Sequence, residues 1–434
     1  MNHADYSNVQ LYTIIPFILM LAAIAVLPLK FNHFWEKNQN KLIISIVLSV
    51  PVLIYLLVNG FTHEIIHTML FDYIPFIILL GSLFTITGGI LLKGDIQAKP
   101  SINTLFLGIG AVLASFMGTT GAAMLLIRPV IKTNQERTFK VHTILFFIAI
   151  VANCGGLLTP LGDPPLFMMY LRGAPFEWFL GLVKEWFVVN ALLLTLYYFV
   201  DSYYYKKEPE ISITKDKSEV EPLKLQGKRN FIFLIGVVLS VEFINEFYLP
   251  FMKTNEYFKF IREIVILSMG LLSLKFTENE IRKQNNFTWH PIEEVAYLFL
   301  GIFFTMIPAL MYLQSHAKEL GISTPPQFYY YTGLLSSFLD NTPTAVTFHS
   351  LALGLGVKTK DIIAGIPENI LVAISVASVL FGSMTYIGNG PNFMVKAVAE
   401  ENKIKMPDFF SYIFKFSLIV LLPIFILIQL LFIH

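Results

Sequence analysis

Two acidic residues, Asp163 and Asp340, stand in strings where an apolar chain seldom carries charge: TPLGDPPLF at 159–167 and LDNTPTAVTF at 339–348. Around each lie hydroxyl and amide side chains with Gly or Pro, residues that take the backbone out of the helix and free its carbonyls. Two further strings share this character, GTTG at 118–121 and TYIGNGP at 385–391. Threonine and asparagine oxygens, freed carbonyls and carboxylates are the hard ligands a sodium-sized cation prefers. Carboxylates also exchange protons, so a metal ion and a proton can compete for one site. The expected cation site is Asp163, Asp340, Asn341 and Asn389, completed by Thr119, Thr120, Thr159, Thr342 and Thr385. Gly118, Gly121, Gly162, Gly388 and Gly390 supply the breaks. Helix N-termini in the same strings suit an anion, but two negative charges facing one cavity favour a cation. Each Asp also suits a helix N-cap, Asp163 before Pro164 and Pro165 and Asp340 before Pro343.

The elements that position these residues belong to a membrane. Of 434 residues, 55% are hydrophobic and 14% charged, against roughly 45–50% and about 25% in soluble domains. Thirty-one basic and thirty acidic residues leave a net charge of +1, which gives no field for nucleic acid. Cys154 is the only cysteine, so there is no intrachain disulfide and no Cys-based metal site. The N-terminal MNHADYSNVQ lacks the basic stretch of a cleavable signal, and the apolar run after it is read as a retained span. No nucleotide-binding loop or nucleophile elbow is present, so an enzyme is not expected. No cofactor is expected either.

Runs near the ~20 residues needed to cross a bilayer occur at 11–30, 41–59, 73–94, 178–200, 231–250, 259–276, 293–315 and 408–432. Stretches 140–172 and 365–398 are apolar but interrupted, and read as broken helices; 103–132 and 328–356 are interrupted at their centres, and read as re-entrant hairpins. A hydrophilic linker divides the chain, so the expected units are 1–200, the linker 201–229, and 230–434.

The halves repeat one another. LGSLFT at 80–85 matches LGIFFT at 300–305, SFMGTTGAA at 115–123 matches SFLDNTPTA at 337–345, and TPLGDPPLFM at 159–168 matches TYIGNGPNFM at 385–394, with offsets 220, 222 and 226. Five crossings per half make the second run inverted, the plan in which substrate sites form at midplane between broken helices. The expected fold class is an all-α polytopic membrane protein, an inverted repeat of 5+5 transmembrane helices with two hairpins and two broken helices. The positive-inside rule places the linker and most Lys and Arg in the cytoplasm and both termini outside. A multi-pass protein of the inner (plasma) membrane is expected.

Other polar residues are read as structural. Glu242, Asn245 and Glu246 lie on the outer end of a span, Glu185 beside Lys184, and His142, His349 and Asn153 in packing; Arg128 and Lys132 are topology anchors.

The strings GTTGAAMLLIRP, NCGGLLTPLGDPPLF, LDNTPTAVTF and GSMTYIGNGPNFMV resemble NhaD-type sodium/proton antiporters, in the arsenite-pump/NhaD branch of the ion transporter superfamily. The resemblance implies a transport domain of two hairpins and two broken helices beside a scaffold, usually in a homodimer. It also implies a cation site at the hairpin tips and in the Asp163 and Asn389 loops. The superfamily's tip motif of Ser, Asn and Thr is replaced by Gly118-Thr119-Thr120 and Asp340-Asn341-Thr342, a departure that suits a cation over a dicarboxylate. The expected function is therefore a secondary antiporter exporting Na+ or Li+ in exchange for H+. The alternative is a citrate, dicarboxylate or arsenite carrier of the same superfamily.

Overall fold

The computed structural model describes Tyr6, residues 9–357 and residues 359–434. Most of the N-terminal MNHADYSNVQ string, and Lys358 of the charge count, lie outside the described residues. The chain is an all-α polytopic membrane protein, with eight helical stretches long and apolar enough to cross a bilayer among the described residues. Apolar side chains such as Ile54, Ile232, Ile264 and Ile419 are exposed on its outside, the surface that lipid covers.

The two halves run through the same element order. In the first, Ile15–Lys30, Asn38–Val58 and the stretch Thr62–Thr87 precede a hairpin with arms Pro100–Met117 and Thr119–Thr133. A broken helix, Val141–Ile150 and Pro164–Leu171, and the long Val183–Tyr205 follow. In the second, Asn230–Phe243, Phe260–Phe276 and His290–Ser315 precede a hairpin with arms Pro325–Ser336 and Asn341–Leu355. Its broken helix is Glu368–Phe381 and Gly390–Glu401, and the last span is Phe409–Phe432.

Local chemistry sets the boundaries. Pro100 occupies the first turn of its arm, where its missing N–H costs nothing. The arm reaches 18 residues, about 27 Å at 1.5 Å per residue, longer than its half of the interrupted run 103–132 and long and apolar enough to count among the eight candidate spans. The second hairpin starts on a capping box between Thr324 and Gln327. Gly118 turns the first tip at φ +81°, a region glycine enters without steric cost. The helix that starts at Asn230 stops at Phe243 because the Asn245 side chain takes the amides of Phe247 and Tyr248. Asn245 and Glu246 therefore lie beyond that helix, not along a span.

Packing crosses the halves. The arm Asn341–Leu355 lies against Pro164–Leu171, and Gly390–Glu401 lies against Thr119–Thr133, so each hairpin packs on the other half's broken helix. Asn38–Val58, Ile74–Thr87, Asn230–Phe243, Phe260–Phe276 and His290–Ser315 pack mainly on one another. Close contact between the groups uses small residues, and a Cβ at Gly121 would stand 2.7 Å from Thr87 Cγ2.

The linker is folded, where its composition suggested a solvent segment. Its helix Glu210–Ser218 leads into strand β2 (Glu221–Gln226), which pairs antiparallel with β1 (Leu91–Asp95). Arg137 binds Asp201 at 2.8 Å and Glu208 at 3.2 Å, both buried, while Glu208 also accepts the amides of Thr138 and Phe139. His142, on the same Asp201 at 2.8 Å, is structural. Arg128 donates to the Asn285 carbonyl and Lys132 pairs with Glu221 at 2.8 Å, so both tie the first hairpin to this linker face.

Candidate functional site

Four helices begin at one place in the core. They are the hairpin arms starting at Thr119 and Asn341 and the half-helices starting at Pro164 and Gly390. Their N-termini bring the positive ends of four helix dipoles together, although the amides of Thr119, Leu166, Thr342 and Asn392 are already paired and Pro164, Pro165, Pro343 and Pro391 carry none. The loops that bring them together are built alike. Thr159 donates its hydroxyl to the Ser115 carbonyl and accepts the Leu161 amide; Thr385 donates to the Ser337 carbonyl and accepts the amides of Ile387 and Gly388. Each loop then folds back on its own start. A Cβ on Gly162 would lie 2.0 Å from Gly156 O, and one on Gly388 would lie 2.6 Å from Gly382 O. These glycines serve backbone-to-backbone approach.

Asp163 is the centre of the arrangement. It occupies the N-cap position of Pro164–Leu171, yet its side chain does not cap that helix. Its Oδ1 accepts the Thr119 hydroxyl at 2.8 Å and Asn389 Nδ2 at 3.2 Å, and its Oδ2 accepts Asn341 Nδ2 at 2.8 Å. One carboxylate therefore joins both hairpin tips and both loops. Asp163 is 1% exposed, and three neutral donors offset much of the cost of burying it. The Thr119 amide adds a 2.8 Å bond to the Gly162 carbonyl.

Asp340 plays a different part. Its Oδ1 accepts the Thr342 amide at 2.9 Å, so it caps its own helix. It lines a cavity of about 110 Å³ together with Thr119, Thr120, Gly121, Asn389 and Gly390. Thr342 is buried with an unpartnered hydroxyl. The cavity's other wall is apolar, from Leu80, Leu83, Phe84, Ile292, Val295 and Phe299, and among the described residues no Lys or Arg faces it. The structure thus unites Thr119, Asp163, Asn341 and Asn389 by direct bonds. It sets Thr120 and Asp340 beside them on the cavity, and uses Thr159 and Thr385 to hold the loops.

Two residues escaped the sequence reading. Asn153, taken there as packing, donates to the Ile148 carbonyl and to Asn392 Oδ1, and accepts from Asn389 at 3.1 Å. Asn392 donates in turn to the carbonyls of Gly382 and Thr385. A signal for Asn392 existed, because the repeat alignment sets it opposite Leu166 on an otherwise apolar turn. His349 meets the Ala364 carbonyl at 2.9 Å through Nε2, while its buried Nδ1 has no partner among the described residues. Among the described residues no group of three or more His, Cys, Asp or Glu converges as a metal centre.

On the face opposite the linker a larger vestibule of about 970 Å³ opens. Its floor includes Tyr170 and Arg172, at the far end of the half-helix that begins at Asp163. That helix has eight residues, so vestibule and site are about 12 Å apart along it.

Residues 6–433 match the family model CitMHS_2, described as "Putative citrate transport". No curated protein matches the chain.

Proposed function

The chain belongs to this citrate transport family, and we propose that it is a secondary transporter for a citrate-like organic anion. Family membership supports transport in general. It does not carry the NhaD-type antiporter assignment that the motifs suggested, and it favours the alternative. The observation that carries the proposal is the convergence of four helix N-termini on one cavity, an arrangement suited to carboxylate oxygens.

Asp163 and Asp340 at the same cavity set a condition on that anion. With no Lys or Arg among the described residues facing the cavity, a polycarboxylate meets two carboxylates and needs a proton or a cation bound with it. On this reading the coupling ion binds at Asp163, whose hydrogen-bond partners come from both halves. The cavity of about 110 Å³ is smaller than the ~300 Å³ at the low end of ligand pockets. The tips therefore part when the anion binds. Alternating access then carries the site between the linker face, proposed as cytoplasmic, and the vestibule.

Sodium/proton antiport is the second reading, supported by the buried cross-repeat carboxylate of Asp163. Proteoliposomes separate the two. Radiolabelled citrate accumulation driven by an inward sodium or proton gradient supports the anion reading. Proton efflux on adding NaCl or LiCl, with no citrate flux, replaces it with the antiport reading.

A further inference from the structure

Between the vestibule and the site lie the half-helix Pro164–Leu171 and the packed pair His290–Ser315 and Asn341–Leu355. At the end of the half-helix Pro164–Leu171, the Tyr170 hydroxyl donates to the Val241 carbonyl at 2.7 Å and accepts from Arg262 Nη1 at 2.9 Å. The guanidinium also lies over the Tyr170 ring, 5.0 Å from its centroid. Arg262 is held in that pose by its neighbour Glu263, through Nε at 2.9 Å and through Nη2, and both residues are buried. Two residues on, Arg172 pairs with Asp72 at 3.5 Å. Beyond the next turn, Glu177 accepts the Tyr248 hydroxyl at 2.7 Å.

All three bridges run from segment 170–177, which continues directly from Asp163, to the group that includes Asn230–Phe243, Phe260–Phe276 and the stretch Thr62–Thr87. The cavity at the site lies on the other side, toward the linker face, between the tips and the halves of Ile74–Thr87 and His290–Ser315 nearest the linker. Between this cavity and the vestibule lie that short helix, held at its far end by these bonds, and the packed pair His290–Ser315 and Asn341–Leu355.

We infer that Tyr170 with Arg262, and Asp72 with Arg172, form a clasp that holds the site toward the linker face and must open before the site reaches the vestibule. The inference rests on the alternating-access reading above. A hydrogen bond to a charged partner is worth enough to shift such an equilibrium by roughly tenfold or more. Tyr170 is therefore a positioning residue for access, without contact to the transported ion.

The test uses the full chain in oriented proteoliposomes with Leu80→Cys as reporter, since Leu80 lines the site's cavity and is half-buried, while Cys154 is fully buried. An impermeant maleimide is applied from the vestibule side. Tyr170→Phe keeps the ring under Arg262 and removes only the hydroxyl, and Asp72→Asn removes only the ion pair. Either variant is expected to raise the labelling rate from that side by roughly tenfold. A disulfide formed in the Asp72→Cys, Arg172→Cys chain is expected to stop citrate uptake, and dithiothreitol to restore it. Unchanged labelling in both variants together with uptake undiminished by the cross-link overturns the clasp and leaves the transporter reading standing. A wild-type reporter labelled from one side only, whatever the gradient, overturns alternating access and the clasp with it.

Discussion

Replacing Asp163 separates its charge from its place in the network. In Asp163→Asn, the remaining oxygen can keep the Thr119 hydroxyl and Asn389, which share Oδ1 at 2.8 and 3.2 Å. The new amide then faces Asn341 Nδ2, donor against donor, where a 2.8 Å bond stood. A turn of the Asn341 amide relieves this. Its oxygen accepts from residue 163 and its nitrogen donates to Ser336 Oγ, whose single proton then goes wholly to the Ser378 carbonyl, now 2.7 Å away. Every donor is matched again.

Loss of charge assistance on three bonds costs about 1 kcal/mol each, offset by no longer burying a carboxylate. The net change in stability is expected within about 2 kcal/mol. Asp163→Ala is different, because it orphans the Thr119 hydroxyl and Asn341 Nδ2 at about 1–3 kcal/mol each, while Asn389 keeps the Ala152 carbonyl and Asn153. The Ala variant is thus expected to lose roughly 2–6 kcal/mol. Cys154, fully buried in the broken helix, reports unfolding directly through a thiol-reactive dye during a thermal ramp. Coupled uptake is measured on the same preparation. The expected result is a folded, inactive Asn variant beside a destabilised Ala variant. Wild-type uptake by Asp163→Asn, or an Asn variant melting with the Ala variant, refutes the reasoning.

Asp340→Asn preserves the cap on Thr342 and is expected to change stability by a few tenths of a kcal/mol, whereas Asp340→Ala costs about 1 kcal/mol; thermal unfolding of the pair reads the cap and uptake reads any role for the charge. Gly388→Ala places a Cβ 2.6 Å from Gly382 O and 2.8 Å from Ser336 O, with no flexible side chain to yield, and is expected to lower stability by roughly 1–3 kcal/mol or more, seen as a lower melting temperature. Burial, with Glu136 nearby, pushes the Asp95 carboxyl up to about 6. The folded β1–β2 pair therefore holds a proton that the unfolded chain has released, and its stability falls as pH rises from 3.8 through about 6. The protection factors of the amides across residues 91–95 and 221–226, taken relative to their intrinsic base-catalysed exchange rates, are expected to fall over that window in the wild type, and Asp95→Asn to flatten their pH profile.

Composition and periodicity alone determined that this chain lives in a bilayer, because 14% charged residues cannot cover a water-facing surface of this size. The repeat was equally legible. Two of the three co-linear string pairs mark the places where the loops carry matching Thr159 and Thr385 bonds, to Ser115 and Ser337, and matching Gly162 and Gly388 approaches. Those features are local, set by backbone breaks that Gly, Pro and Thr write directly into the string.

What the string left open was the division of labour between the two Asp. Both precede a helix start with the same grammar, and either suits a cap or a ligand. Only the crossing of the halves decides it, since Asp163 finds partners 44, 178 and 226 residues away while Asp340 finds its own within two. The folded linker, the Asn153–Asn392 bond and the Tyr170–Arg262 contact share that origin. A hydrogen bond is a matter of a few ångströms and an angle, and side chains so far apart in sequence acquire that geometry only when the helices have packed.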